Sequence, residues 1–117
     1  MTAETAKRIS GFLGLCNRAG QLVFGQEACV NAVRKRDAGI VLLDESCSEN
    51  TRKRFLDTCG THEIPLYGVA EGMIDSATGK SGRKVAAVKA GGMAEKMLTL
   101  LKDESALCGD AILHQEV

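Results

Sequence analysis

Ile9, Phe12, Leu13 and Cys16 recur at helical spacing, which predicts an amphipathic helix over residues 3–18 that stops at Gly20. A short apolar strand over 21–24 follows. Gly25 then opens a second helix to about residue 36, with Ala28, Cys29, Ala32 and Val33 on its inward side. Residues 40–43 (IVLL) are an unbroken apolar run, the pattern of a strand covered on both faces and so of a sheet packed between helices. Ser46 with Glu49 three places on has the form of a capping box for a third helix, whose buried stripe is Phe55, Leu56 and Cys59 and which ends near Gly60. Residues 64–69 read as a strand that tolerates Pro65 at its start, 71–77 as a short helix, 79–84 as an exposed loop and 85–88 as the last strand. After Gly91 and Gly92, Ala94, Met97, Leu98 and Leu101 mark a final helix. The alternation αβαβαβαβα predicts an α/β protein, a three-layer α/β/α sandwich.

A chain of 117 residues suits one domain, expected over 1–102. Hydrophobic residues at 44% and charged ones at 26% supply a core and exclude a disordered chain. From Asp103 the sequence turns acidic, with Glu104, Asp110 and Glu116 against Lys102, so 103–117 is expected to be a loosely held tail. No apolar run approaches the roughly 18 residues a membrane span needs, and the first ten residues are polar, so a cytoplasmic protein without a membrane partner is expected. The cysteines Cys16, Cys29, Cys47, Cys59 and Cys108 are odd in number and widely spaced, which disfavours a disulfide scaffold or a zinc site. Cys16, Cys29 and Cys59 fall on apolar helix faces and read as small buried hydrophobes. No cofactor or metal is implied.

Catalytic motifs do not assemble. Gly79-Lys80-Ser81 matches the end of a phosphate-binding P-loop, but Ile74 stands where that motif needs glycine, and the triplet precedes a strand rather than a helix. Asp44 and Glu45 end the central strand, where an acid pair or phosphoacceptor is conceivable, and Cys47 in the same loop has the position of a thiolate at a helix N-terminus. His62 and His114 are far apart, so no nucleophile and base pair up.

Charge distribution says more than the total, in which 15 basic and 15 acidic side chains cancel. Between Lys7 and Arg36, six bases (Lys7, Arg8, Arg18, Arg34, Lys35 and Arg36) stand against the single acid Glu27, and between Thr78 and Lys96, Lys80, Arg83, Lys84, Lys89 and Lys96 stand against Glu95. A neutral protein of this kind can present a basic face to phosphates. Aromatic content of 3% leaves few stacking platforms for bases. Gly25 allows another backbone to come close, and the free amides of a first helical turn suit phosphate or base acceptors. Gln26, Glu27 and Asn31 lie within the first two turns and can read base edges.

At these residues the chain resembles the ribosomal L-seven-Ae and L-thirty-e group of RNA-binding proteins, specifically its small bacterial ribosomal-like branch. The run 13–27 (LGLCNRAGQLVFGQE), the run 41–53 (VLLDESCSENTRK) and 64–67 (IPLY) carry the resemblance, which spans about 7–101. It implies an α/β/α domain with a mixed four-stranded sheet that grips kink-turn RNA, a sharply bent internal loop with tandem G·A pairs. The family's gripping motif is glycine, a variable residue, asparagine, glutamate, two variable residues and lysine. Gly25, Glu27, Ala28 and Asn31 occupy its named positions here, with Gln26 at the first variable one, so three of its four named residues are changed, and Val23 and Phe24 stand where basic residues often precede the glycine.

The resemblance also implies that the loop Gly79, Lys80, Ser81, Gly82, Arg83, Lys84 closes over the RNA. The reading is a non-catalytic protein that binds structured RNA, with Gly25, Gln26, Glu27 and Asn31 at the bases of the bend. Arg34 and Lys35 hold phosphates, and Lys80, Ser81, Gly82, Arg83 and Lys84 cover the bend. The implied targets are rRNA or another kink-turn-like RNA, with ribosomal or transcription-machinery proteins as further partners. The alternative is a protein-interaction module that keeps the fold with a degenerate RNA edge.

Overall fold

A computed structural model describes residues 1–108. The elements are α1 (Ala3–Arg18), β1 (Leu22–Phe24), α2 (Gln26–Arg34), β2 (Ala38–Asp44), α3 (Glu49–His62), β3 (Leu66–Val69), α4 (Met73–Thr78), β4 (Val85–Lys89) and α5 (Gly92–Leu100). The strands form one four-stranded sheet in the order β1-β4-β2-β3. β4 runs antiparallel to both β1 and β2, while β3 runs parallel to β2, so the sheet is mixed.

The apolar run of β2 is buried on both faces, as its pattern predicts. Ile40 and Leu42 join Ile9, Leu13, Met97 and Leu101 in the core beneath α1, α4 and α5. Val41 and Leu43 join Val30, Val33, Phe55 and Cys59 beneath α2 and α3. β4 alternates in the same way, with Ala86 and Val88 on the first face and Val85 and Ala87 on the second. These are the three layers of an α/β/α sandwich.

Several local expectations are corrected. α2 buries Cys29, Val30, Ala32 and Val33 and leaves Ala28 exposed, so its inward face is turned from the expected one. It also stops at Arg34, because Arg36 takes a left-handed φ of 59° and Asp37 N–H donates back to Ala32 O at 2.8 Å. The cap of α3 is Ser48, whose side chain accepts from Thr51 N–H; Ser46 serves the preceding loop instead. Pro65 lies just outside β3.

The acidic segment is described as far as Cys108. Leu107 N–H donates to Leu66 O at 2.6 Å and Leu66 N–H to Cys108 O at 3.3 Å, so this stretch covers the outer edge of β3. Residues 109–117, with Asp110 and Glu116, lie outside the described residues. Cys16, Cys29 and Cys59 are buried, and all five cysteines are free thiols. Among the described residues no helix is long and apolar enough to cross a membrane.

Candidate functional site

β1 leaves the sheet at Phe24 and β4 enters it at Val85, and these antiparallel neighbours pair Phe24 with Ala86. The exit at Gly25 and the entry at Lys84 must therefore lie side by side. β2 ends against the same point, with Leu43 opposite Val85 and Asp44 N–H donating to Lys84 O at 2.8 Å. Topology alone thus brings the start of α2, the loop before β4 and the end of β2 to one corner of the sandwich.

Gly25 has φ 89° and ψ 146° and offers no side chain as a cap. The first intrahelical bond of α2 runs from Cys29 N–H to Gly25 O at 3.0 Å, which leaves the N–H groups of Gln26, Glu27 and Ala28 without acceptors inside the helix. Nothing lies within 4 Å of the place a Gly25 Cβ would take, so that side is open to a partner. Gln26 Nε2 donates to Thr51 Oγ1 at 2.9 Å, tying α2 to the first turn of α3. Glu27 pairs with Arg54, whose hydrogen bond and charge hold its carboxyl below the usual glutamate value.

Asp75 pins the loop between α4 and β4 by accepting from Gly82 N–H at 3.0 Å and Arg83 N–H at 2.7 Å. The Arg83 guanidinium stands over the Phe24 ring, 5.1 Å from its centroid. Arg83 Nε is buried with no hydrogen-bond partner among the described residues. Lys84 Nζ donates to Ser46 Oγ at 2.8 Å.

Asp44, only 1% exposed, accepts from Ser46 N–H at 2.7 Å, Ser46 O–H at 2.6 Å and Gly72 N–H at 2.9 Å. Burial alone would raise its pKa, but these bonds and the Lys84 charge outweigh burial and hold it low. Asp44 is therefore a tie between three loops and not a free acid. Cys47 is likewise no activated thiolate, since burial pushes its pKa up.

Gly25, Gln26, Gly82, Arg83, Lys84 and Val85 line a cleft of about 210 Å³ at this corner. Lys80 and Ser81 are exposed on the same loop beyond the cleft wall. Asn31 and Lys35 do not reach it. They line a second groove of about 600 Å³ with Val23, Ala28, Ala32, Arg36, Asp37, Lys89 and Ala90. Arg34 is exposed at the end of α2, and its charge is felt at Glu27. Thr51, Asp75 and Arg54 join the corner through contacts that no motif in the sequence marks, and the basic run Arg52-Lys53-Arg54 is the one local pattern that includes any of them.

The chain is 37% identical over 90 residues to the RNA-binding protein YlxQ of Bacillus subtilis, covering 76% of this chain and 90% of that one. It is 31% identical over 103 residues to the RNA-binding protein YlxQ of Enterococcus faecium, covering 87% and 99%. A Bacillus halodurans protein of unknown function superposes with a TM-score of 0.76 at 36% identity, covering 80% of this chain and 96% of that one. The Giardia lamblia 15.5kD RNA binding protein shares the fold, with a TM-score of 0.73 at 10% identity and coverage of 88% and 89%. Residues 7–98 match the ribosomal protein L7Ae/L30e/S12e/Gadd45 family. From α1 to α5, then, the chain belongs to that family.

Proposed function

We propose that this protein binds structured, kink-turn-like RNA at the corner cleft and carries out no chemistry there. The observation that supports this reading is the meeting of uncapped α2 amides at Gly25 with the cations Arg83 and Lys84 across one cleft. Backbone donors and a guanidinium there face the same space, which suits the phosphates and unpaired bases of a bent strand better than any small substrate. Gly82 gives the covering loop a φ of 69° that turns its amide toward Asp75, and Lys80 and Ser81 extend that cover over the RNA. Arg34, Lys35 and Asn31 continue along α2 and hold the strand leaving the bend. The YlxQ relatives are named as RNA-binding proteins, in keeping with this reading. The target class is rRNA or another structured transcript of the ribosome or transcription machinery, met in the cytoplasm.

Gel shifts with a kink-turn RNA test it. Binding is expected to weaken steeply between low and physiological salt, and Arg83→Glu is expected to abolish it. A protein that shifts no structured RNA at low salt would instead use this corner for a protein partner, and the RNA reading would fail.

A further inference from the structure

Three of the five thiols are buried together. Cys16 lies in the core beneath α1, α4 and α5, whereas Cys29, Cys59 and Cys108 share the core on the other face of the sheet. Cys29 donates to Val23 O at 3.3 Å, and burial pushes its pKa up to about 12, so it is a held and unreactive thiol. Cys59 and Cys108 meet each other instead. Cys59 projects from α3 and Cys108 from the segment that covers the edge of β3, and a hydrogen bond joins the two side chains. Ile64 holds both in place, its N–H donating to Cys59 O at 2.9 Å and its carbonyl lying 3.9 Å from Cys108 Sγ. The bond that Cys59 donates keeps the Cys108 thiol below the ordinary cysteine value and pushes Cys59 above it.

Two thiols in contact are one oxidation away from a disulfide, and their places in the fold decide which sulfur is reached first. Cys59 has no exposure, while Cys108 is 7% exposed and ends a segment whose backbone bonds to β3, at 2.6 and 3.3 Å, both fall on Leu66. A segment tied at one residue opens locally far more readily than the helix beneath it. We propose that Cys59 and Cys108 form a site of reversible oxidation, at which a peroxide converts the pair to a disulfide that staples the segment to α3. Cys108 gives up its proton, attacks one oxygen of hydrogen peroxide and breaks the O–O bond. The departing hydroxide takes that proton as water, and Cys108 becomes a sulfenic acid. When the segment closes, the Cys59 sulfur attacks the Cys108 sulfur, the S–O bond breaks, and the leaving hydroxide takes the Cys59 proton as a second water. Two thiols have then lost two electrons and the peroxide has gained them. A small dithiol reverses the step by exchange, becoming a disulfide itself. The staple fixes the cover over the β3 edge, which guards that edge against pairing with another strand. β3 lies at the opposite side of the sheet from β1, so the site is separate from the corner cleft and does not depend on the RNA reading.

The test treats the full chain with hydrogen peroxide and digests it with trypsin without reductant. Cleavage after lysine and arginine places Cys47, Cys59 and Cys108 in separate peptides, 37–52, 55–80 and 103–117. A linked species of 55–80 and 103–117, lighter by two hydrogen atoms than the two peptides together, is expected, and dithiothreitol should dissolve it. Exchange of the Leu66 amide should slow while the link is present. Cys59→Ser is expected to stop Cys108 at the sulfenic acid, which a cyclic dione traps, and Cys47→Ser to leave the link unchanged. The inference is overturned if the wild-type chain carries Cys108 to sulfinic acid unlinked, joins it to Cys47 or to a second chain, or keeps Cys59 and Cys108 reduced. The wild-type peptide map alone decides between these outcomes, so a variant that fails to fold does not obscure the result.

Discussion

Each oxygen of the Asp44 carboxylate is met by donors from Ser46 or Gly72, although the side chain has almost no contact with solvent. Replacing it by asparagine turns an amide N–H₂ toward backbone donors and strands at least one of them. Asp44→Asn is expected to cost about 2–3 kcal/mol in urea denaturation. The pH dependence has a definite sign. The folded pKa lies below the ordinary aspartate value of about 3.9, so between the two values the unfolded chain holds the proton and the folded one does not. The stabilisation is therefore complete above about pH 4 and is lost as pH falls through the folded value. The difference in stability between wild type and Asp44→Asn should shrink over that acid window and stay flat from pH 5 to 8. Gly25 is a different kind of residue, held by conformation and not by contacts. Its φ of 89° is one that L residues avoid, while the space around it is open. Gly25→Ala should cost about 1–2 kcal/mol by thermal denaturation, all of it backbone strain.

At the scale of elements, Ser48 and Gly39 separate local from long-range causes. Ser48 caps α3 through Thr51 N–H at 3.2 Å, so Ser48→Ala should lower stability by about 1 kcal/mol in chemical denaturation. A Cβ on Gly39 would come 2.5 Å from Ala94 Cβ, where β2 passes under α5. Gly39→Ala must push that helix off the sheet, at about 1–3 kcal/mol by the same measurement.

The nine elements of the described residues and their order were legible because apolar periodicity and glycine punctuation are local signals, and the doubly buried β2 was legible for the same reason. Ser46 was misread because it has Glu49 three places on, whereas Ser48, the actual cap, is followed at that spacing by Thr51; the demand of buried Asp44 for donors takes Ser46 into the loop. Ala28 was misread because two apolar stripes overlap on α2, and the one that is buried takes the larger Val30 in place of Ala28 and packs it with Val33, Phe55 and Cys59. Arg54 on Glu27 and Leu107 on Leu66 are pairings between distant stretches of sequence, and Asp75 meets the Gly82 and Arg83 amides only because the loop after α4 folds back on it. Composition shows that the partners exist, and only the fold shows that they meet.

For the molecule as a whole, zero formal charge means that little long-range field draws a polyanion in, so RNA affinity must come from cations in contact with phosphate. The proposed site offers Arg34 and Lys35 at the end of α2 and Lys80, Arg83 and Lys84 on the loop before β4 for such contacts. If all five displace counterions, the slope of log affinity against log salt lies between about −3.5, for a single-stranded segment, and about −4.5, for a duplex one. Lys84 already donates to Ser46, and moving to a phosphate would break that bond, so four cations are expected to act and the range becomes about −2.8 to −3.6. Lys80 has no such tie among the hydrogen bonds and ion pairs of the described residues. Lys80→Ala should then reduce the slope by about 1 while leaving the choice of sequence unchanged. Fluorescence anisotropy titrations from 50 to 300 mM salt measure both quantities. A slope near zero would mean that the corner binds its partner without phosphates, and the basic loop would then be a solvated surface and no part of the interface.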